Sequence, residues 1–147
     1  IRRTPMASGL YGETFVNALD GTAAIDLNSD TIKIMLVTSS YSPDFGAHGH
    51  KSDVTNEVSG TNYTAGGNTL GSLSLTQTGG TIKFDAADTS WSSATITNAR
   101  GAVIYDDSVT NDPLIAYIDF GSDFSSSNGT FTITFAAGGI FTIDLTP

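Results

Sequence analysis

The chain contains no cysteine and few basic residues, and each shortage excludes some kinds of site or partner. Without cysteine it has no disulfides, no thiolate metal ligands and no cysteine nucleophile. Six Lys and Arg residues stand against fifteen Asp and Glu residues, which gives a formal net charge of −9. Because such a body repels nucleic acid and anionic lipid, we expect neither a nucleic-acid partner nor a membrane partner.

Glutamate and long apolar runs are scarce as well. Only Glu13 and Glu57 are glutamates, and the remaining acids are aspartates, which suit turns and caps better than helix interiors. No stretch reaches the roughly 18 apolar residues of a membrane-spanning helix. With 147 residues and 16 glycines, the composition predicts one domain of strands joined by turns.

The N-terminal segment differs in charge from the rest of the chain. Met6 resembles a natural start, which leaves residues 1–5 as an upstream extension, a processing remnant or a cloning scar. We divide the chain into an arm, residues 1–9, and a single domain, residues 10–147. A short basic arm on an acidic body is typical of a segment that docks onto a neighbour. The expected partner contacts are Arg2, Arg3, Pro5, Leu10 and Tyr11.

The first regular element predicted is a short amphipathic helix between Leu10 and Leu19. Its apolar residues recur at helical spacing, Ser8 is a candidate N-cap, and Asp20-Gly21 is a stop signal. The next segment, Thr31–Ser39, is apolar on both faces apart from Lys33. That pattern predicts a central strand of a sheet.

From Thr69 onward the apolar residues alternate with polar ones, which is the period of half-buried strands. Thr78-Gly79-Gly80 predicts a hairpin turn, and the polar run Ser122–Gly129 predicts a hairpin loop. We expect about seven strands, which begin near Thr31, Thr69, Thr81, Ala99, Leu114, Thr130 and Gly139. The predicted fold is mainly β: an antiparallel β-sandwich, jelly-roll or Ig-like, or a flattened barrel, with one short N-terminal helix.

The segment Ser40–Gly67 is the least regular and holds the only two histidines. His48 and His50 form a His-x-His pair, which can bind a transition metal, but no third ligand follows from the spacing. The flanking glycines favour a solvated loop. The same segment contains a predicted helical turn over Ser52–Val58.

Two groups of aspartates are the other candidates for metal binding or catalysis. Asp26, Asn28 and Asp30 match the first ligand positions of a calcium loop, yet Thr31 and Val37 replace the glycine and the bidentate glutamate that follow. A turn stabilised by its own side chains is the simpler interpretation. Asp106, Asp107 and Asp112 can converge on a cation or form a paired-carboxylate site only if folding brings them together. We predict no catalytic residues, no cofactor and no enzyme activity.

An exposed aromatic surface is the usual device of a β-sandwich that binds carbohydrate. Trp91, Tyr63, Tyr41 and Phe124 are the residues that can supply one. Core packing is the favoured interpretation of Trp91.

Several blocks of sequence resemble a family of small virion proteins of tailed bacteriophages. In the first half they are Met6–Gly12, Thr31-Ile32-Lys33, Thr38–Tyr41, Asn56–Gly60, Tyr63 and Ala65-Gly66-Gly67. In the second half they are Phe84-Asp85-Ala86, Trp91-Ser92, Thr95-Ile96, Arg100, Ala102–Asp107 and Leu114–Gly121. The resemblance spans nearly the whole chain from Met6, and it departs from the family at Gly101 and in the histidine-containing loop.

The resemblance implies a component of the virion. Because a protein of charge −9 gains nothing next to packaged DNA, we expect it on the outer capsid surface. The expected function is that of a head decoration, or cement, protein that contacts the major capsid protein or other virion proteins and associates with itself. The alternative is a tail- or fibre-associated module that contacts host glycans.

Overall fold

The computed structural model describes residues 7–146, which form two antiparallel sheets and one short helix. The strands are β1 (Gly9–Leu10), β2 (Ile32–Val37), β3 (Asn68–Thr69), β4 (Ser74–Thr78), β5 (Thr81–Asp85), β6 (Thr89–Asp106), β7 (Leu114–Ile133) and β8 (Phe141–Asp144). The helix α1 spans Gly12–Leu19, and a 3₁₀ turn covers Lys51–Asp53. The larger sheet has the order β1-β7-β6-β2-β3, and the smaller has the order β4-β5-β8. The predicted mainly β, sandwich-type fold with one N-terminal helix is confirmed.

Strand β2 lies inside the larger sheet, between β6 and β3. Its residues Ile32, Ile34 and Leu36 belong to the core between the two sheets. Met35 and Val37 point to the opposite face and belong to a second buried cluster. Because both faces are covered, the strand needs an almost continuous apolar sequence, and its prediction as a central strand is confirmed.

The first part of the irregular segment 40–67 covers that second face of the larger sheet, whereas its later residues Val58 and Tyr63 pack in the core between the two sheets. Tyr41 is buried on the second face, Val37 pairs with Glu57, and the Thr38 N–H donates to the Asn56 carbonyl. Gly67 has φ +77°, and a Cβ at this position would lie 1.8 Å from the Ile34 carbonyl oxygen. Only glycine therefore allows the segment to approach β2 this closely.

Helix α1 begins after Tyr11, whose backbone is the N-cap, so the prediction of Ser8 as the cap is wrong. The Ser8 hydroxyl instead accepts a hydrogen bond from the Asp119 N–H at 2.9 Å. The pairing of β1 with β7 makes that bond available, since Gly9 pairs with Tyr117. Ser8 and Gly9, which the sequence places in the arm, thus belong to the folded domain.

The β4–β5 hairpin matches its prediction. Thr78 pairs with Thr81, and Gly79 and Gly80 between them have φ +58° and +81°. Two consecutive positive φ values are what a two-residue hairpin turn of the type matched to strand twist requires.

Strands β6 and β7 form one long hairpin, and here the prediction is wrong. The run Ser122–Gly129 is part of β7 and not a hairpin loop, so the strands expected near Leu114 and Thr130 are one strand. Register shifts interrupt the pairing with β6 at several points, and Asn98 and Asn128 adopt positive φ. Bulges of this kind let polar, turn-forming residues remain in a strand. The predicted helical turn over Ser52–Val58 is likewise only the 3₁₀ turn at Lys51–Asp53.

Strand β8 does not pair with β7, although its sequence follows directly. Ile143 pairs with Ile82, and Phe141 pairs with Phe84, so β8 belongs to the smaller sheet. The chain therefore passes from one sheet to the other after Ile133. On the side of β8 away from β5, no strand of residues 7–146 pairs with it.

Candidate functional site

The two histidines take part in separate polar contacts. The His48 Nδ1 accepts a hydrogen bond from the Asp44 N–H at 3.2 Å, and it lies 3.0 Å from the Tyr41 hydroxyl. The His50 Nε2 lies 3.9 Å from a Glu13 carboxylate oxygen. Within residues 7–146 no group of three His, Asp or Glu side chains is placed to hold a metal ion.

The loop around His48 is a built structure with its own capping groups. The Asp44 carboxylate accepts from the Gly46 and Ala47 N–H groups, both at 3.0 Å. The Asp53 carboxylate accepts from the Gly49 and His50 N–H groups, both at 2.9 Å, and these bonds lower the pKa of Asp53. Two glycines of this loop, Gly46 and Gly49, thus donate their N–H groups to the capping carboxylates.

The calcium-loop candidates form a turn closed by their own side chains. The Asp26 carboxylate accepts from the Ser29 hydroxyl at 2.6 Å and from the Asn28 N–H at 3.0 Å, which lowers the pKa of Asp26. The Asp30 carboxylate accepts from the Asp26 N–H, and the Asn28 side chain accepts from the Leu75 N–H. The interpretation of Asp26–Asp30 as a turn is confirmed.

The three aspartates at and just after the end of β6 do not converge on one site. Asp107 lies 3.7 Å from the Lys33 ammonium, and Asp112 lies 4.0 Å from the Lys51 ammonium. Asp106 is fully buried.

The surroundings of Asp106 disfavour its charge. Its Oδ1 accepts from the Ser108 N–H at 2.9 Å, but its Oδ2 has no hydrogen-bond donor. The neighbouring Asp30 carboxyl can form a hydrogen bond with Oδ2 only when one of the two carboxyl groups carries a proton. Burial, together with Asp30, raises the pKa of Asp106 to about 6.

The four aromatic residues considered for a sugar-binding surface do not form one exposed surface. Trp91 and Tyr63 are buried and contact each other, with ring centroids 5.7 Å apart, so the interpretation of Trp91 as a core residue is confirmed. Tyr41 is buried on the opposite face of the larger sheet. Phe124 alone of the four is well exposed, with half of its surface open to solvent.

The expected partner contacts fall into two groups. Arg2, Arg3 and Pro5 lie outside the described residues. Leu10 forms part of β1 and packs against the main core, whereas Tyr11 is fully buried. The Tyr11 hydroxyl lies 2.8 Å from the Tyr41 hydroxyl, so Tyr11 links the helix entry to the segment 40–67 and presents no surface to a partner.

An apolar groove lies between β7 and β8, and the sequence did not predict it. The groove has a volume of about 730 Å³. Its principal apolar side chains are Phe120, Phe124, Phe131, Phe135, Ile140 and Phe141. The remaining lining residues are small, aliphatic, hydroxyl-bearing or Tyr117, and none is charged. In the sequence, Phe124 is an apolar residue within a polar run, which is a signal for an exposed ring. The other rings alternate with polar residues, and that pattern indicates only core-facing strand positions.

Unpaired strand edges flank this groove. β1 covers the outer side of β7 only at Ala116 and Tyr117, and within residues 7–146 no strand covers that side beyond them. The outer side of β8 is uncovered as well. Leu145 donates to the Gly80 carbonyl, so by the antiparallel alternation Thr142 directs its backbone groups away from β5.

Two acidic residues lie close in sequence to lining residues of the groove, although neither lines it. Asp123 lies in the chain between Phe120 and Phe124, and its side chain is 42% exposed. Asp144 follows Thr142 by two residues at the end of β8. The Arg100 guanidinium binds Asp119 at 3.1 Å and lies 3.7 Å from Asp123, which neutralises part of this charge.

Comparisons with known proteins add no family assignment: no family model, no curated protein and no solved structure matches the chain. None of the described helices has the length and apolar character needed to cross a membrane.

Proposed function

We propose that this chain is a structural protein of a tailed-bacteriophage particle, which decorates the outer surface of the head and holds neighbouring capsid subunits together. The observation that carries the proposal is the uncharged, phenylalanine-lined groove, which lies open on an otherwise acidic domain. An exposed apolar surface of this kind is typical of a site where another protein binds. The sequence blocks that resemble small virion proteins supply the choice of partner.

The charge of the molecule favours the outer surface over the interior of the head. A net charge of −9 opposes contact with packaged DNA, because binding to phosphates gains its free energy from Lys and Arg side chains. On the outside, a capsid subunit can cover the groove without burying a charge from its lining residues.

The copy number in intact particles tests this position. Quantitative mass spectrometry of purified virions should give a copy number comparable to that of the major capsid protein, since a cement protein contacts many capsid subunits. A handful of copies per particle would favour the tail- or fibre-associated alternative. Absence from particles would refute both.

Binding to empty heads tests the surface that we propose. Phe124→Ser removes the most exposed ring of the groove, and Leu75→Ser removes an apolar side chain of β4 with 37% exposure that lies outside it. In sedimentation assays with heads that lack the protein, Phe124→Ser should reduce occupancy at least about tenfold, which corresponds to roughly 1.4 kcal/mol. Leu75→Ser should bind like the wild type. Equal binding of both variants would contradict the role of the groove.

A further inference from the structure

We propose that the groove between β7 and β8 binds an extended polypeptide segment of a partner, which adds as a strand to the outer side of β7. This segment would be apolar at alternate positions and basic at its flanks. The inference rests on the proposed function in one respect, namely that the groove is a protein interface, and it assigns the form and chemistry of the bound element.

The edge of β7 pairs with no strand of residues 7–146 beyond β1, and this indicates a bound strand rather than a helix or a small molecule. Along an edge strand, alternate residues direct their N–H and C=O groups outward. If a partner offers no backbone N–H or C=O groups, these edge groups keep their hydrogen bonds to water. An extended peptide satisfies those groups while its side chains on one face enter the groove. A lipid chain or another apolar ligand can fill the groove but cannot pair with the edge.

Strand β1 is a short example of the same arrangement within the domain. Gly9 and Leu10 pair antiparallel with Tyr117 and Ala116, and the Tyr11 N–H donates to the Ile115 carbonyl. The pairing ends at Ser8, where a side chain takes the Asp119 N–H in place of a backbone carbonyl. Beyond this point β7 continues for many residues along the groove, and no strand of residues 7–146 lies beside it there.

The lining residues of the groove and the net charge of the chain define the chemistry of the bound segment. The Phe side chains favour apolar residues at every second position, because side chains of a strand alternate between its two faces. The absence of a charged lining residue makes a buried charge in the occupant costly. Basic residues at the two ends of the segment are complementary to the net charge of −9 of the chain.

A designed peptide tests this assignment directly on the full chain. The probe is an acetylated octapeptide, Lys-Thr-Val-Thr-Val-Thr-Val-Lys, with a fluorescent label, and binding is followed by anisotropy at low salt. Three matched peptides serve as controls: a scrambled order, glutamate in place of both lysines, and N-methylation of the backbone at alternate residues. We expect the probe to bind, and each control to bind at least about tenfold more weakly.

The location of the peptide is tested by variants and by hydrogen exchange. Phe124→Ser should weaken binding of the probe at least about tenfold, whereas Leu75→Ser should leave it unchanged. The bound peptide should slow amide exchange in β7 between Phe124 and Ile133. Absence of binding, or equal binding of the N-methylated peptide, would overturn strand addition. Decanoate that binds in the groove while the peptide does not would show a site for apolar small molecules and also overturn it.

The outcome separates this inference from the proposed function. If the peptide fails to bind but Phe124→Ser still loses the capsid, the groove is an interface for an element other than a strand. If the peptide binds as expected but Phe124→Ser remains on heads, the strand site is real and capsid attachment uses another surface.

Discussion

The Tyr11 hydroxyl lies 2.8 Å from the Tyr41 hydroxyl and joins two parts of the chain that are thirty residues apart. The His48 Nδ1 accepts from the Asp44 N–H, so it is unprotonated there and the Tyr41 hydroxyl donates to it at 3.0 Å. Tyr11 then donates to Tyr41. This chain of hydrogen bonds holds the part of the chain around Tyr41 and His48 on the outer face of the larger sheet.

The direction of these bonds predicts unequal effects of two conservative substitutions. Tyr11→Phe leaves Tyr41 with its bond to His48 and should cost about 0.5–1.5 kcal/mol of unfolding free energy. Tyr41→Phe leaves the buried Tyr11 hydroxyl without an acceptor and should cost about 1–3 kcal/mol. Urea unfolding at neutral pH measures both. A larger loss for Tyr11→Phe would contradict the assigned direction.

The buried Asp106 predicts a loss of stability as the pH rises. Its pKa is about 6 in the folded protein, against an ordinary value of 3.8, because burial disfavours the carboxylate. The folded state therefore binds a proton more tightly than the unfolded state, and the resulting stabilisation is complete below pH 3.8 and is lost as the pH passes through 6.

Asp106→Asn should remove this dependence. The asparagine oxygen can still accept from the Ser108 N–H, and its amide can donate to Asp30, without a titrating group. Relative to the wild type, the variant should gain about 1–3 kcal/mol between about pH 4.5 and pH 8 in urea unfolding. Asp107→Asn, at a more exposed neighbour that contacts Lys33, is the control and should show no such gain.

Two glycines with similar backbone angles should respond very differently to alanine. Gly21 has φ +81°, and a Cβ added there would meet no atom within 4 Å, so Gly21→Ala should cost only the conformational strain of about 1–2 kcal/mol. Gly67 has φ +77° and would place its Cβ 1.8 Å from the Ile34 carbonyl oxygen. Gly67→Ala should therefore cost more than about 3 kcal/mol or prevent folding. Thermal unfolding of both variants distinguishes the two contributions.

The arm predicted from the sequence is tested by deletion. Removal of residues 1–6, which spares Ser8 and its bond to the Asp119 N–H, should reduce occupancy on heads, because it removes two arginines from an acidic protein. The melting temperature should be measured in parallel, so that a loss of attachment is separated from a loss of stability. Unchanged occupancy would refute a role of the arm in attachment.

Local sequence signals predicted the elements that depend on local chemistry. The apolar run of β2 predicted a strand buried on both faces, and Gly79-Gly80 predicted the turn of the β4–β5 hairpin. The helix was also predicted, although its N-cap was not, because the Ser8 hydroxyl binds an N–H of β7 more than a hundred residues away.

The groove was not predicted because it depends on which strands pair. The alternation of Phe131 and Ile133 with threonines indicates a buried face, but it does not show that β8 joins the other sheet and leaves the side of β7 without a further strand among residues 7–146. The polar run Ser122–Gly129 has the composition of a loop, and only the pairing of β7 with β6 across several bulges keeps it in a strand. Tertiary pairing here overrides local preference.

The connectivity of the larger sheet also determines when the domain can fold. Ile32 pairs with Asp106, and Gly9 pairs with Tyr117, so the first strands emerge from the ribosome long before their partners. At about 5–20 residues per second, β2 waits several seconds for β6. During that interval its apolar faces are uncovered, and a topology with such distant pairings folds on a timescale of milliseconds to seconds. In host cells grown at elevated temperature, synthesis of this protein should therefore depend on chaperones. This dependence should begin at temperatures where the finished fold is still stable.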